Sequence, residues 1–138
     1  MKFIAFDTAT EWCTAALWQD GTLAFREVHA GQRHSDLLVP MVMELLAEAG
    51  LALGDLDGLA YGMGPGSFTG LRIACGVAQG LALGADLPVL GVSTLEALAE
   101  ESGAERVAAC LDARMNEVYA GLYERRDEGW LTLAGPLV

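Results

Sequence analysis

Apolar residues come in short blocks over the first thirty positions and then switch to helical spacing. Residues 2–8 form an apolar block that closes on an acid. Residues 13–19 form a second, and Asp20-Gly21 is a hairpin signal before a third at 22–29. The pattern predicts three strands. From Ser35 to Ala49 the apolar spacing is helical, and Gly50 stops the run. A fourth strand follows at 57–63, then a helix from about Ser67 to Leu83, then a short buried strand at 87–92. Ser93 or Thr94 caps a third helix, with Glu96 in its first turn and an end near Gly103.

The pattern then repeats. Ile4-Ala5-Phe6-Asp7 and Ala109-Cys110-Leu111-Asp112 are both apolar strands ending in Asp. A polar turn with Glu11 or Glu117 comes next, then Ala15-Ala16-Leu17-Trp18 or Ala120-Gly121-Leu122-Tyr123. An acidic-Gly turn follows in each, Asp20-Gly21 and Glu128-Gly129. Such a repeat implies an α/β fold of two β-β-β-α-β-α halves, the second incomplete. Residues 1–104 form the first half and 105–138 the opening strands of the second. A sheet without its helices lacks a cover on one face, so the second half reads as truncated.

Two helices carry more apolar surface than a sheet needs to cover. Residues 37–46 are apolar around most of the helix, with a polar stripe of Asp36, Glu44 and Glu48. Pro40 is expected to kink this helix or mark its true start. The second helix carries Gly76, Gly80 and Gly84 at four-residue spacing beside Ala74, Ala78 and Ala82. Each helical glycine costs roughly 1 kcal/mol against alanine, and close packing offsets that. The glycine row packs either on the chain's own sheet and first helix or on another molecule. The girth of the first helix favours an intermolecular contact through Leu37, Leu38, Met41, Val42, Leu45, Ile73, Gly76, Val77 and Gly80.

Gly64-Pro65-Gly66-Ser67-Phe68-Thr69-Gly70-Leu71-Arg72 joins the fourth strand to the second helix. Glycines 64, 66 and 70 permit positive φ and close backbone approach. Ser67 or Thr69 can cap the helix. The string reads as an anion or carboxylate site, or as a tight turn with no ligand. It is not a Walker loop, because Leu71-Arg72 stands where Lys-Ser/Thr is required. Arg72, one of eight basic residues, is the candidate for an anion contact.

With 138 residues, 53% hydrophobic and 20% charged, the chain is long enough and apolar enough for a real core. A net charge of −11 disfavours a direct grip on nucleic-acid phosphates. No apolar run reads as a membrane span, and the strand-like start does not read as a signal peptide, so a cytoplasmic location without membrane contact is expected. Cys13, Cys75 and Cys110 read as separate, reduced, buried thiols. No Ser-His-Asp or Cys-His arrangement can be nominated, so no catalytic residue is assigned.

Phe6-Asp7-Thr8-Ala9-Thr10-Glu11, His34-Ser35, the string from Gly64 to Arg72, and Leu111-Asp112-Ala113-Arg114-Met115-Asn116-Glu117-Val118-Tyr119 resemble the TsaB (YeaZ) family. These bacterial proteins are needed to make threonylcarbamoyladenosine on tRNA, next to the anticodon. The resemblance implies the RNase H-like fold of the actin, sugar-kinase and Hsp70 ATPases, with a longer second half than this chain has. It implies a non-catalytic scaffold that pairs through the two helices, with itself when alone or with its paralogue TsaD. TsaD carries the metal and transfers the threonylcarbamoyl group. TsaE, an ATPase, joins them, and tRNA is reached only through the complex. No cofactor is intrinsic, although ATP or ADP could sit at a joint site with the partner.

The resemblance also places Asp7 where an actin-like ATPase holds the acid that orients hydrated magnesium. Ala9 and Glu11 spoil the phosphate loop there, leaving Asp7, Thr8 and Thr10 as residual candidates for a ligand. Asp112 is the mirror acid, or simply a hairpin acid paired with Arg114. TsaD-like relatives bind metal through His-x-x-x-His on a helix, whereas here His34 is followed four residues on by Leu38. His34 therefore reads as a helix-start residue and no metal ligand is assigned. The rival reading is a small ATP-dependent phosphotransferase of the same superfold.

Overall fold

The computed structural model describes residues 1–138. Strands β1 (Lys2–Asp7), β2 (Trp12–Gln19) and β3 (Thr22–His29) form an antiparallel meander. Asp20 and Gly21 both have positive φ, the two-residue turn that matches strand twist. Helix α1 (His34–Glu48) leads through a short 3-10 turn to β4 (Gly58–Gly64). Helix α2 (Phe68–Ala85), β5 (Val89–Ser93) and α3 (Thr94–Ser102) complete the first half. The first sheet has the order β3-β2-β1-β4-β5, with β4 parallel to both β1 and β5.

One face of this sheet carries the main core. Ile4, Phe6, Cys13, Ala15, Leu17 and Leu59 pack there against α1 and α2. Helix α1 contributes Leu38, Met41, Val42, Leu45 and Leu46, and α2 contributes Ala74 and Ala78. The small residues of α2 let its backbone lie close to the sheet. Arg26 on β3 pairs with Glu44 and Glu48 of α1, which ties the polar stripe of that helix to the sheet edge.

The repeat is present in three dimensions. Strands β6 (Arg106–Arg114), β7 (Glu117–Arg126) and β8 (Gly129–Leu137) form a second antiparallel meander, separate from the first sheet. Asp7 Oδ1 accepts from the Ala9 N–H at 2.8 Å, and Asp112 Oδ1 accepts from the Arg114 N–H at 2.8 Å. Each strand-ending acid thus folds the chain into the same short turn. Helix α3 packs on the second sheet, where Leu95 and Ala99 meet Ala109 and Tyr123 in a second core cluster. Glu100 of α3 accepts from Trp130 Nε1 at 2.8 Å and pairs with Arg125, whose guanidinium lies over the Trp130 ring.

Several sequence expectations need correction. Pro40 lies inside α1 and does not start it. Strand β5 is an edge strand with Val89 and Leu90 exposed, because no further strand covers its outer side. The second hairpin turns at Asp127-Glu128, and Gly129 with φ +132° opens β8. Only Cys13 is buried; Cys75 is half-buried and Cys110 is exposed on the uncovered face of β6. Helix α2 also contradicts the expectation of no membrane-length run, since its 18 residues reach a mean hydropathy of 1.2. Phe68, Leu71, Ile73, Val77, Leu81 and Leu83 supply that mean, the alanines add to it and the glycines do not.

The β6–β7 turn is strained. Arg114, Met115 and Asn116 have φ of +65°, +54° and +60°, a left-handed run of three residues that all carry a Cβ. Left-handed backbone costs an L-residue about 1–2 kcal/mol. Met115→Gly should therefore raise stability by about 1 kcal/mol in urea unfolding, and Met115→Ile should lower it.

Candidate functional site

Strands β1, β4 and β5 are parallel and bring Asp7, Gly64 and Ser93 to one edge of the first sheet. Ligands of open α/β sheets bind at such carboxyl ends. Two loops leave this edge and lock together. Thr8 Oγ1 donates to the Gly70 carbonyl at 2.5 Å, and the Ser67 N–H donates to the Ala9 carbonyl at 2.7 Å. A Cβ on Gly70 would lie 1.8 Å from the Thr8 oxygen, and one on Gly66 would lie 2.7 Å from Ala9. The glycine turn is filled by the chain's own Thr8-Ala9 segment. Thr8 is fully buried with its hydroxyl engaged, which removes it from the expected ligand set.

The remaining residues of this edge have defined roles. Ser67 Oγ caps α2 by accepting from the Gly70 N–H at 3.3 Å; Thr69 is exposed and does not cap. Gly64 has φ +102°, the one glycine of the string with left-handed backbone. Thr10 turns the chain by accepting from the Trp12 N–H, and its carbonyl accepts from His34 Nε2 at 2.8 Å. A carbonyl only accepts, so Nε2 carries the proton and His34 anchors the loop from the first residue of α1. Arg72 is exposed, with its guanidinium 4.0 Å above the Phe68 ring. The Thr94 hydroxyl at the start of α3 is buried without a partner.

Asp7 is partly buried, and desolvation pushes its carboxyl above the usual range, against the Ala9 N–H and the nearby His34. Burial and the Asp7 charge push the Cys13 thiol up as well, so it is not a reactive thiolate. Asp112 and Arg114 do not form the expected side-chain pair; the contact is from the Arg114 backbone N–H to Asp112.

The helix surface divides differently from the sequence expectation. Leu38, Met41, Val42 and Leu45 are buried in the chain's own core and offer nothing to another molecule, because α1 turns that side to the sheet. Leu37, Ile73 and Val77 are half-buried against that core. The outer side of α1 instead presents Val39 and Met43, the latter 47% exposed. On α2, a Cβ added to Gly76, Gly80 or Gly84 would meet nothing within 4 Å. The glycine row therefore does not pack on the chain's own sheet or first helix. Phe68 and Leu83, 70% and 87% exposed, flank it at either end of α2.

Comparison with known proteins fits this arrangement. The model of the TsaD family, tRNA N6-adenosine threonylcarbamoyltransferase, matches residues 28–138. The chain belongs to this family. Within it the chain is similar to TsaB proteins: 50% identical over 133 residues to that of Escherichia coli and 48% over 123 residues to that of Haemophilus influenzae. These matches cover 94% and 86% of the chain but 58% and 52% of the relatives, so the chain spans little more than half their length. The solved structure of YeaZ from Pseudomonas aeruginosa superposes with a TM-score of 0.90 at 46% identity, over 97% of this chain and 65% of that one. The α/β fold expected for the TsaB relatives is thus the fold present.

Sequence reasoning missed Gly62, Val39, Met43 and Leu83. A Cβ on Gly62 would lie 1.9 Å from Asp7 Oδ2, so that glycine makes room for the carboxyl. Its only signal was an isolated glycine in a strand. The glycines separate in a test: Gly70→Ala should cost several kcal/mol by driving a Cβ into the Thr8 backbone, whereas Gly76→Ala should gain roughly 1 kcal/mol. Both are read by urea unfolding. Asp7 has a folded pKa above its unfolded value of about 3.8, so its ionisation opposes folding increasingly as pH rises through that interval. Asp7→Asn should be more stable than the parent at neutral pH, and the difference should vanish below pH ~3.8.

Proposed function

We propose that the chain is a non-catalytic partner of a TsaD-type enzyme in threonylcarbamoyl modification of tRNA adenosine next to the anticodon. The observation that carries this reading is the glycine row of α2, which faces open space, together with the exposed Val39 and Met43 of α1. Three helical glycines with no neighbour in their own chain are a standing cost of roughly 3 kcal/mol that a closely packed partner helix would offset. The same surface serves a homodimer when the chain is alone. TsaE, tRNA and a nucleotide at a joint site belong to the larger assembly, which fits a cytoplasmic setting. A net charge of −11 suits a subunit that leaves the RNA contact to others.

The phosphotransferase reading is disfavoured by the loop after β1. Ala9 is buried under the glycine turn and Thr8 is committed to Gly70, so the segment has no room for a phosphate. Met43→Glu and Gly80→Arg should each abolish pairing with a TsaD-type protein, and with a second copy, in light scattering after size exclusion. Circular dichroism should stay unchanged, because both positions are exposed. Leu45→Glu should instead unfold the chain, as Leu45 is buried in the core. Intact pairing in both surface variants would overturn the reading.

A further inference from the structure

We draw no further inference here: the strongest candidate, the apolar trough on the face of the first sheet opposite α1 and α2, is a bare face of a chain that spans 52% to 65% of its relatives' length, and nothing in the structure shows what covers it.

Discussion

The contact between the loop after β1 and the loop before α2 organises the first half of the molecule. Thr8 and Ala9 enter a turn whose glycines have no Cβ to exclude them, and three chain segments become one edge. Ser67 sits at the centre: its N–H holds Ala9 while its hydroxyl caps α2. His34 secures the same loop from α1 through the Thr10 carbonyl. The direction of both helices is thus set by backbone hydrogen bonds made at one end of the sheet. Backbone groups buried at a junction of this kind must be paired, so small local changes propagate into helix placement.

Once the helices are placed, their surfaces are determined. Helix α1 turns Leu38, Val42 and Leu45 to the sheet, and α2 turns Ala74 and Ala78. What remains outward is sparse in charge and rich in small residues. A helix with glycine at every fourth exposed position is poorly explained by the free monomer, where it adds chain entropy and no contact. The family of tRNA threonylcarbamoyl transferases, to which the chain belongs, gives that surface a context.

Element order was legible from periodicity and turn chemistry, because hairpin glycines, Ser caps and αL helix ends act locally. Asp20-Gly21, Ser67, Ser93 and Gly103 all occupy the roles their chemistry suggests. Which side of α1 faces inward was not legible. Ten consecutive positions with only Pro40 and Glu44 interrupting the apolar run give no phase, so Leu45 and Met43 look equivalent until the sheet is present. The glycine string was ambiguous for a related reason: what fills a turn of glycines can be a ligand or a distant part of the same backbone, and sequence spacing does not distinguish them. Thr8, sixty-two residues from Gly70, carried the answer.

Helix α3 touches strands of both sheets, yet its polar clasp runs only to the second, through Glu100, Arg125 and Trp130. On the first sheet it is attached by chain continuity at Ser93 and by apolar contact alone. The two attachments differ in stiffness. Hydrogen bonds and an aromatic-stacked guanidinium fix an angle, whereas contact without such bonds tolerates sliding. A relative rotation of the halves would therefore carry α3 as cargo of the second sheet, with the bend falling at the β5–α3 junction.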